Sequence, residues 1–253
     1  MRDEDIPLSV RNLTIRYGER TAVEDLSFDV HPGKIYGLLG PNGAGKTSTL
    51  KAILGLVEKS SGRAFVYGKD VRDDPVYVKN RIGVVLESPV LFDSLTPNEF
   101  MEFVASIRKV DNRGRIEHLV NAFGLQEYME TPIASLSMGN RQKTTIVAAL
   151  MSEPPLLLLD EPFNGLDIRS VKIFKELILN HVRRGNSVLF STHILDVVEK
   201  ICDEVGILNN GRMVEHGTMD DLRKRLEGSD LEEIFLKATK MDEEIESILR
   251  AFE

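Results

Sequence analysis

The chain of 253 residues has a single cysteine, no long apolar run and no excess of basic residues. Cys202 has no second cysteine to pair with, which excludes an internal disulfide and fits a reducing compartment; we expect a small, buried, apolar-type residue. The formal net charge of -8 argues against a nucleic-acid partner, because affinity for phosphate backbones comes from clustered Lys and Arg. No run of about 18 apolar residues occurs, which predicts that the chain does not span a membrane by itself.

The acidic beginning, "MRDEDIPLSV", lacks the apolar stretch of a signal peptide. Internal repeats and low-complexity segments are also missing. What the chain does contain is 42% hydrophobic residues, enough for a sizeable core. We therefore expect one large domain, or one domain with a subdomain.

Alternating apolar and polar residues in "LSVRNLTIRY" and "TAVEDLSFDV" predict half-exposed antiparallel strands near the start. Later, "PPLLLLDEP" and "SVLFSTH" are apolar throughout, which is typical of buried parallel strands, and a helical pattern lies between them. The expected fold class is α/β, with a mainly parallel sheet and an N-terminal antiparallel β subdomain.

Between these regions the apolar residues recur at helical spacing, and we expect an inserted α-helical subdomain at about 90–153. "VGILNNGRMVEHGT" predicts a hairpin with a turn at Asn210-Gly211. We place the main domain at residues 1–228 and a charged, C-terminal helical tail at 229–253. This tail either packs on its own domain, which is the favoured interpretation, or helps to hold a dimer.

The stretch "GPNGAGKT" follows one apolar strand and precedes a predicted helix. Glycines let the backbone bend around an anion, and the helix N-terminus adds N–H donors and a favourable dipole. Lys46 should reach the β- and γ-phosphates of a nucleotide, and the Thr47 hydroxyl should bind Mg²⁺. The pattern predicts a P-loop NTPase core. The expected nucleotide-binding residues here are Gly40, Pro41, Asn42, Gly43, Ala44, Gly45, Lys46, Thr47 and Ser48.

Two acidic residues, Asp160 and Glu161, follow the four-leucine strand. In a parallel sheet the end of this strand meets the phosphate loop, so Asp160 can hold Mg²⁺ and Glu161 can activate an attacking water. A lone pair of acids after a strand is equally typical of a helix cap or a solvated turn. The position of this pair beside a phosphate loop favours the catalytic interpretation. The loop alone does not identify the class of protein, because kinases, GTPases and ATPases all share it.

The order of motifs resembles the ATP-binding cassette family over most of the chain. Tyr17 stands where the family stacks an aromatic ring on adenine. "LSMGN" resembles the family's signature motif, and the resemblance implies that Ser137, Gly139 and Asn140 form a second anion site. In the family this site closes on the γ-phosphate held by another protomer.

Two further segments match the family. "FNGLD" resembles the segment that crosses the dimer interface, with Asp167 as its acid, and "STH" places His193 where the family has a histidine that contacts the γ-phosphate. The catalytic residues implied are Glu161, His193 and Lys46. The remaining histidines lack such a context, and we expect them on the surface or in packing roles: His31, His118, His181 and His216.

The sequence departs from the family pattern at two places. Met138 and Asn140 replace the usual Gly and Gln of the signature. Glu87 replaces a Gln that contacts Mg²⁺ and senses the membrane partner. We hypothesise that Glu87 joins Thr47 and Asp160 in holding Mg²⁺ and makes nucleotide affinity more metal-dependent. Glu87 and the ending "SDLEEIFLKAT" also resemble the exporter-type branch.

The resemblance implies an ATP-binding and ATP-hydrolysing subunit, a Mg²⁺-dependent ATPase that energises a separate membrane permease, for export. The partners implied are that permease, docked near residues 88–110, and an identical or related ATPase chain. The implied location is the cytoplasmic face of the cell membrane. Alternatives are a soluble cassette ATPase not coupled to transport and, from another class, a phosphotransferase or GTPase. A guanine-reading "NKxD" motif is missing, and the transported substrate is not encoded in any motif.

Overall fold

Two β-sheets form the framework of the protein in the computed structural model, which describes residues 3–226 and 230–241. The strands in chain order are β1 (Leu8–Tyr17), β2 (Arg20–Val30), β3 (Ile35–Leu39), β4 (Ser61–Val66), β5 (Lys69–Asp70), β6 (Ile82–Val85), β7 (Leu156–Asp160), β8 (Ser187–Thr192), β9 (Glu204–Asn209) and β10 (Arg212–Thr218). A four-stranded antiparallel sheet has the order β2-β1-β4-β5, and a six-stranded sheet has the order β10-β9-β3-β8-β7-β6.

In the six-stranded sheet all neighbours are parallel except β9 and β10. Strands β3, β7 and β8 are buried along their whole length because both faces of the sheet are covered. The predicted α/β class, the antiparallel N-terminal sheet and the mainly parallel sheet are confirmed. The carboxyl ends of β3, β8, β7 and β6 consequently lie along one edge.

The helices are α1 (Lys46–Ile53), α2 (Pro75–Arg81), α3 (Pro97–Arg108), α4 (Arg113–Phe123), α5 (Met138–Leu150), α6 (Ile168–Arg183), α7 (Leu195–Ile201), α8 (Met219–Leu226) and α9 (Leu231–Thr239). Helices α3, α4 and α5 lie in sequence between β6 and β7, where the inserted helices were expected. Helix α3 begins with a capping box: the Thr96 hydroxyl accepts from the Glu99 N–H, and the Glu99 carboxylate accepts from the Thr96 N–H.

The core consists of two main apolar clusters, one on each face of the six-stranded sheet. Leu156 and Leu158 point to the face covered by the antiparallel sheet and α1. Leu157 and Leu159 point to the opposite face, which α5, α6 and α7 cover. This alternation is the period-2 geometry of a strand, and it holds the end of β7 in a fixed position.

Glycines shape two local features of the backbone, and one glycine makes room for the single cysteine. The hairpin of β9 and β10 is confirmed, with Asn210 and Gly211 at φ 48° and 79° in the turn. Helix α1 ends at Ile53, two residues before Gly55, which lies in the left-handed region (φ 69°). The Cys202 side chain packs under β3 against Gly37, and burial raises the pKa of its thiol.

The C-terminal region forms α8 and α9 within the described residues. Leu231 and Ile234 of α9 are fully buried in the core, which agrees with a tail that packs on its own domain. Residues 227–229 and 242–253 of the predicted tail lie outside the described residues. Over the part of the chain that the structure covers, no helix has the length and apolar character needed to cross a membrane.

Candidate nucleotide-binding and catalytic site

The phosphate loop joins β3 to the N-terminus of α1, and glycine is required at both of its ends. Gly45 has φ 110°, and a Cβ there would lie 2.6 Å from the Ala22 carbonyl oxygen. A Cβ on Gly40 would lie 2.5 Å from the Leu208 carbonyl oxygen. The loop is therefore pressed against neighbouring backbone, with the first N–H groups of α1 free to bind an anion.

A cleft of about 410 Å³ opens over this loop. Its lining residues are Tyr17, Arg20, Ala22, Asn42, Gly43, Gly45, Lys46, Thr47, Ser48, Glu87 and Glu161. The structure thus brings together residues from β1, the phosphate loop, the end of β6 and the end of β7. Arg20 and Ala22 were not predicted, because the start of β2 carries no motif. The two strands meet at this point, with Tyr17 paired to Arg20.

Lys46 is buried, with 6% of its surface exposed. Its Nζ donates to the carbonyl oxygens of Gly40 at 2.7 Å and Pro41 at 3.2 Å, and lies 3.9 Å from Glu161 Oε1. Burial lowers the pKa of Lys46, whereas three nearby carboxylates act in the opposite direction. These are Glu161, Asp160 and Glu87. The ammonium group is therefore a cation placed among acids next to the loop.

Asp160 ends β7 and is completely buried. The Ser191 hydroxyl donates to Asp160 Oδ1, whereas Oδ2 has no hydrogen-bond partner among the described residues. β8 lies between β7 and β3, so Ser191 stands between this acid and the loop strand. A buried carboxylate oxygen without a partner is a suitable ligand for Mg²⁺.

A Mg²⁺ ion at this site would have only a few ligands from the protein. No group of three or more His, Cys, Asp or Glu side chains with metal-binding geometry occurs in residues 3–226 and 230–241. Mg²⁺ ordinarily takes one or two protein oxygens together with substrate phosphates and water. Asp160 Oδ2, the Thr47 hydroxyl at the cleft and the Glu87 carboxylate supply that kind of donor set.

Glu161 follows Asp160 on the turn and has the unusual backbone angle φ 44°. Its N–H donates to the Ser191 carbonyl oxygen at 2.9 Å. Its Oε2 accepts from the Thr192 hydroxyl at 2.9 Å, and its Oε1 lies 2.7 Å from His193 Nδ1. Two of the predicted catalytic residues, Glu161 and His193, are therefore in direct contact.

Tyr17 and Glu87 both line the cleft. The Tyr17 ring is 47% exposed, and its hydroxyl lies 3.4 Å from Ser48 Oγ. Glu87 is exposed two residues after the end of β6. An exposed aromatic ring suits the base of a nucleotide, and an exposed carboxylate suits its phosphate–metal end.

The signature residues are not brought to this cleft. Ser137 caps α5, with its hydroxyl accepting from the Asn140 N–H at 3.3 Å, and a Cβ on Gly139 would lie 2.7 Å from the Gly165 carbonyl oxygen. Ser137, Gly139 and Asn140 are absent from the cleft lining. Met138 is exposed beside them. Within one chain, the phosphate loop and the signature thus form separate surfaces.

Asp167 caps α6 and links it to α5. It accepts from the N–H and the hydroxyl of Ser170, both at 2.8 Å, and its Oδ2 lies 2.7 Å from Lys143 Nζ. Lys143 and then Ser170 hold the pKa of this carboxyl well below its usual range. The turn with Asp167 and the signature helix are therefore joined by an ion pair.

Residues that the sequence reasoning missed include Ser191 and Thr192, although both stand in the "STH" segment from which only His193 was selected. Their hydroxyls contact the two acids, which a one-dimensional pattern does not reveal. Among the other histidines, His181 is buried, and burial lowers its pKa to about 4. This agrees with the expected packing role.

Together, the loop, the buried lysine and the acidic pair on a parallel sheet define a nucleotide-binding α/β protein of the P-loop class. The family model described as "ABC transporter" matches residues 23–164. The chain belongs to the ABC transporter family, and within it to the ATP-binding subunits, which bind and hydrolyse ATP.

Several known proteins are similar to this chain. "ABC transporter ATP-binding protein NatA" of Bacillus subtilis is 37% identical over 219 residues, covering 85% of this chain and 89% of the relative. "Nod factor export ATP-binding protein I" of Ralstonia nicotianae is 33% identical over 236 residues, covering 90% and 72%. A solved "ATP binding subunit of ABC transporter" superposes with a TM-score of 0.86 at 34% identity, covering 92% of this chain and 99% of that one.

Proposed function

We propose that the chain is a Mg²⁺-dependent ATPase that works as a pair of subunits and drives a separate membrane permease in export. The observation that carries this proposal is the convergence of Lys46, Asp160 and Glu161 beside the phosphate loop. The buried ammonium group of Lys46 offsets phosphate charge. Asp160 offers a metal an oxygen that has no partner among the described residues, and Glu161 lines the same cleft as Lys46.

In the proposed mechanism the loop amides and Lys46 hold the β- and γ-phosphates, and Tyr17 stacks on the base. Thr47, Asp160 and Glu87 would hold Mg²⁺, which would offset the charge on the phosphates when bound. Glu161 accepts a proton from the attacking water, and His193 contacts the γ-phosphate. The Glu161–His193 contact of 2.7 Å joins these two groups before nucleotide enters. Catalysis then depends on the positioning of the reacting groups and on electrostatic stabilisation of the transition state.

The proposed subunit pair has a head-to-tail arrangement. The signature lies outside the cleft of its own chain, and Ser137 caps the N-terminus of α5, whose N–H groups and dipole suit an anion held by a second chain. The Asp167 turn, tied to α5 through Lys143, would lie at the contact between the chains. In the proposed arrangement each ATP would lie between the loop of one chain and the signature of the other.

Docking of a permease is supported by an exposed apolar patch on α3 and the segment before it. The patch consists of Val90, Phe92, Phe103 and Ile107, all of which are exposed. The ring centroids of Phe92 and Phe103 lie 5.5 Å apart, so the two aromatic side chains form one surface. An apolar surface of this kind is typical of an interaction site, and a relative named for export supports the direction.

The variant Glu161→Gln tests the proposal. Loss of the base should lower the rate of ATP hydrolysis by about 10²- to 10⁴-fold, while ATP binding persists and ATP-bound dimers accumulate. Steady-state hydrolysis, equilibrium ATP binding and sedimentation measure the three properties.

The matched control is Glu58→Gln, which removes an exposed carboxylate away from the cleft and should behave as wild type. Hydrolysis by Glu161→Gln at the wild-type rate would remove Glu161 from the role of base.

A further inference from the structure

Thr192 is the last residue of β8 and only 1% of it is exposed. Its hydroxyl oxygen accepts from the Ile194 N–H at 3.1 Å, and its single proton is donated to Glu161 Oε2 at 2.9 Å. The hydroxyl is thus oriented by the backbone and directed at the acid. No motif predicted this contact.

The same strand end also holds the backbone of Glu161. The Ser191 carbonyl accepts from the Glu161 N–H at 2.9 Å, and this contact accompanies the left-handed angle of φ 44° at Glu161. Two consecutive residues of β8 therefore hold one residue of the β7 turn: Ser191 holds its main chain and Thr192 holds its side chain.

The contact with Thr192 decides which carboxylate oxygen of Glu161 faces Lys46 and His193. With Oε2 engaged, Oε1 is the oxygen that lies next to His193 Nδ1 and 3.9 Å from Lys46 Nζ. A carboxylate that takes a proton from water uses one oxygen, and its position determines the rate. Without the Thr192 hydroxyl, the carboxylate can rotate and exchange its two oxygens.

We propose that Thr192 is a positioning residue for Glu161, which it holds with Oε1 directed toward Lys46 and His193. This inference rests on the proposed role of Glu161 as the base. The alternative is a structural role, in which the Thr192 hydroxyl only satisfies a buried polar group. Loss of a structural role would lower stability and leave the turnover number unchanged, whereas loss of a positioning role would lower the turnover number.

The test compares Thr192→Val, Thr192→Ser and a matched control in the full chain. Thr192→Val keeps the side-chain shape and removes the hydroxyl. It should lower kcat about 10- to 100-fold, as is typical when a group that orients a reactive residue is lost, with KM and the Kd for ATP changed by less than about twofold. Thr192→Ser should restore most of kcat.

The control is Ser187→Ala, at the opposite end of β8. Its buried hydroxyl donates to the His31 carbonyl oxygen and accepts from the Gly33 N–H, both at 3.0 Å, about 16 Å along the strand from Thr192. Ser187→Ala should lose stability to a similar degree while kcat stays at the wild-type value.

A double variant separates the possible failures. In a Glu161→Gln background, Thr192→Val should cause no further loss of hydrolysis, since Thr192 acts through Glu161. A kcat unchanged in Thr192→Val, or equal losses from Ser187→Ala, would overturn the inference. If Thr192→Val does not fold, full kcat in Thr192→Ala would overturn it equally. Wild-type hydrolysis by Glu161→Gln alone would instead overturn the proposed base.

Discussion

Lys46 lies among three carboxylates at the phosphate loop, and this charge balance determines how the site responds to a ligand. Glu161 has partners for both of its oxygens, whereas Asp160 has one oxygen bound and one without a partner in the part of the chain that the structure describes. Glu87 is exposed, and its carboxylate has no hydrogen bond or ion pair within residues 3–226 and 230–241. Because like charges repel at short range unless a cation lies between them, the least restrained acid should respond most to Mg²⁺.

At this scale we predict the effect of Glu87→Gln. Removing one negative charge should make ATP affinity less dependent on Mg²⁺, with the ratio of the Kd values without and with Mg²⁺ reduced about fivefold, or about 1 kcal/mol. Titration of ATP binding at several Mg²⁺ concentrations measures this ratio. An unchanged ratio, equal to that of Glu58→Gln, would contradict the hypothesis that Glu87 helps to hold the metal.

Helix α9 has a charged sequence, yet its apolar side chains pack into the core. Asp230 caps its N-terminus by accepting from the Glu233 N–H at 2.9 Å, and Leu231 and Ile234 enter the core on the side of α7 and β9. The Asn209 side chain donates to the Thr239 carbonyl oxygen at 3.2 Å near the end of the helix. The first part of the predicted 229–253 tail thus packs as an integral part of the core.

The prediction for this element is that Ile234→Ala lowers the free energy of unfolding by about 2–5 kcal/mol, the usual cost of a cavity at a fully buried site. Glu232→Ala, on the exposed side of the same helix, should change it by less than about 0.5 kcal/mol. Denaturant unfolding followed by circular dichroism measures both. If both variants changed the free energy of unfolding by the same negligible amount, α9 would not be part of the stabilising core.

On the scale of the whole molecule, three surfaces lie on different parts of one chain: the cleft, the signature end of α5 and the apolar patch of Val90, Phe92, Phe103 and Ile107. Helix α5 extends from the signature end toward the patch. Its N-terminus carries the signature, Lys143 ties it to Asp167, and its later residues Thr145, Ala148 and Ala149 line a groove with Phe100 of α3. A partner bound at the patch is thereby linked to the proposed contact between chains.

We predict that Phe92→Asp abolishes co-purification of the tagged chain with a polytopic membrane protein from detergent-solubilised host membranes. A charge in an apolar interface is costly to desolvate, whereas the patch lies off the cleft, so ATP affinity should be unchanged. Identification of co-purified proteins by mass spectrometry and direct ATP binding measure the two effects.

The matched control is Val76→Asp, which changes an exposed valine on α2. It should retain the membrane protein. Recovery of the wild-type chain with soluble partners or with none would favour an ATPase that is not coupled to transport. Equal recovery of the permease with both variants would exclude the patch as the docking site.

The features predicted correctly from the sequence are those that depend only on residues close to one another in the chain. The alternation in β1 and β2, the apolar runs of β7 and β8, the Asn210-Gly211 turn and the phosphate loop each depend on local backbone preferences and period. The identities of Lys46, Asp160 and Glu161 as candidates followed from their places at the ends of such elements.

Other features depended on which strands become neighbours, and only long-range packing decides that. Placing β8 beside β7 brings Ser191 and Thr192 to the two acids, and pairing β1 with β2 brings Arg20 to the cleft. The separation of the signature from the cleft is likewise a tertiary property. The sequence by itself determined the chemical groups and their local geometry, whereas the tertiary structure decided their partners, because strand order is set by burial of whole faces.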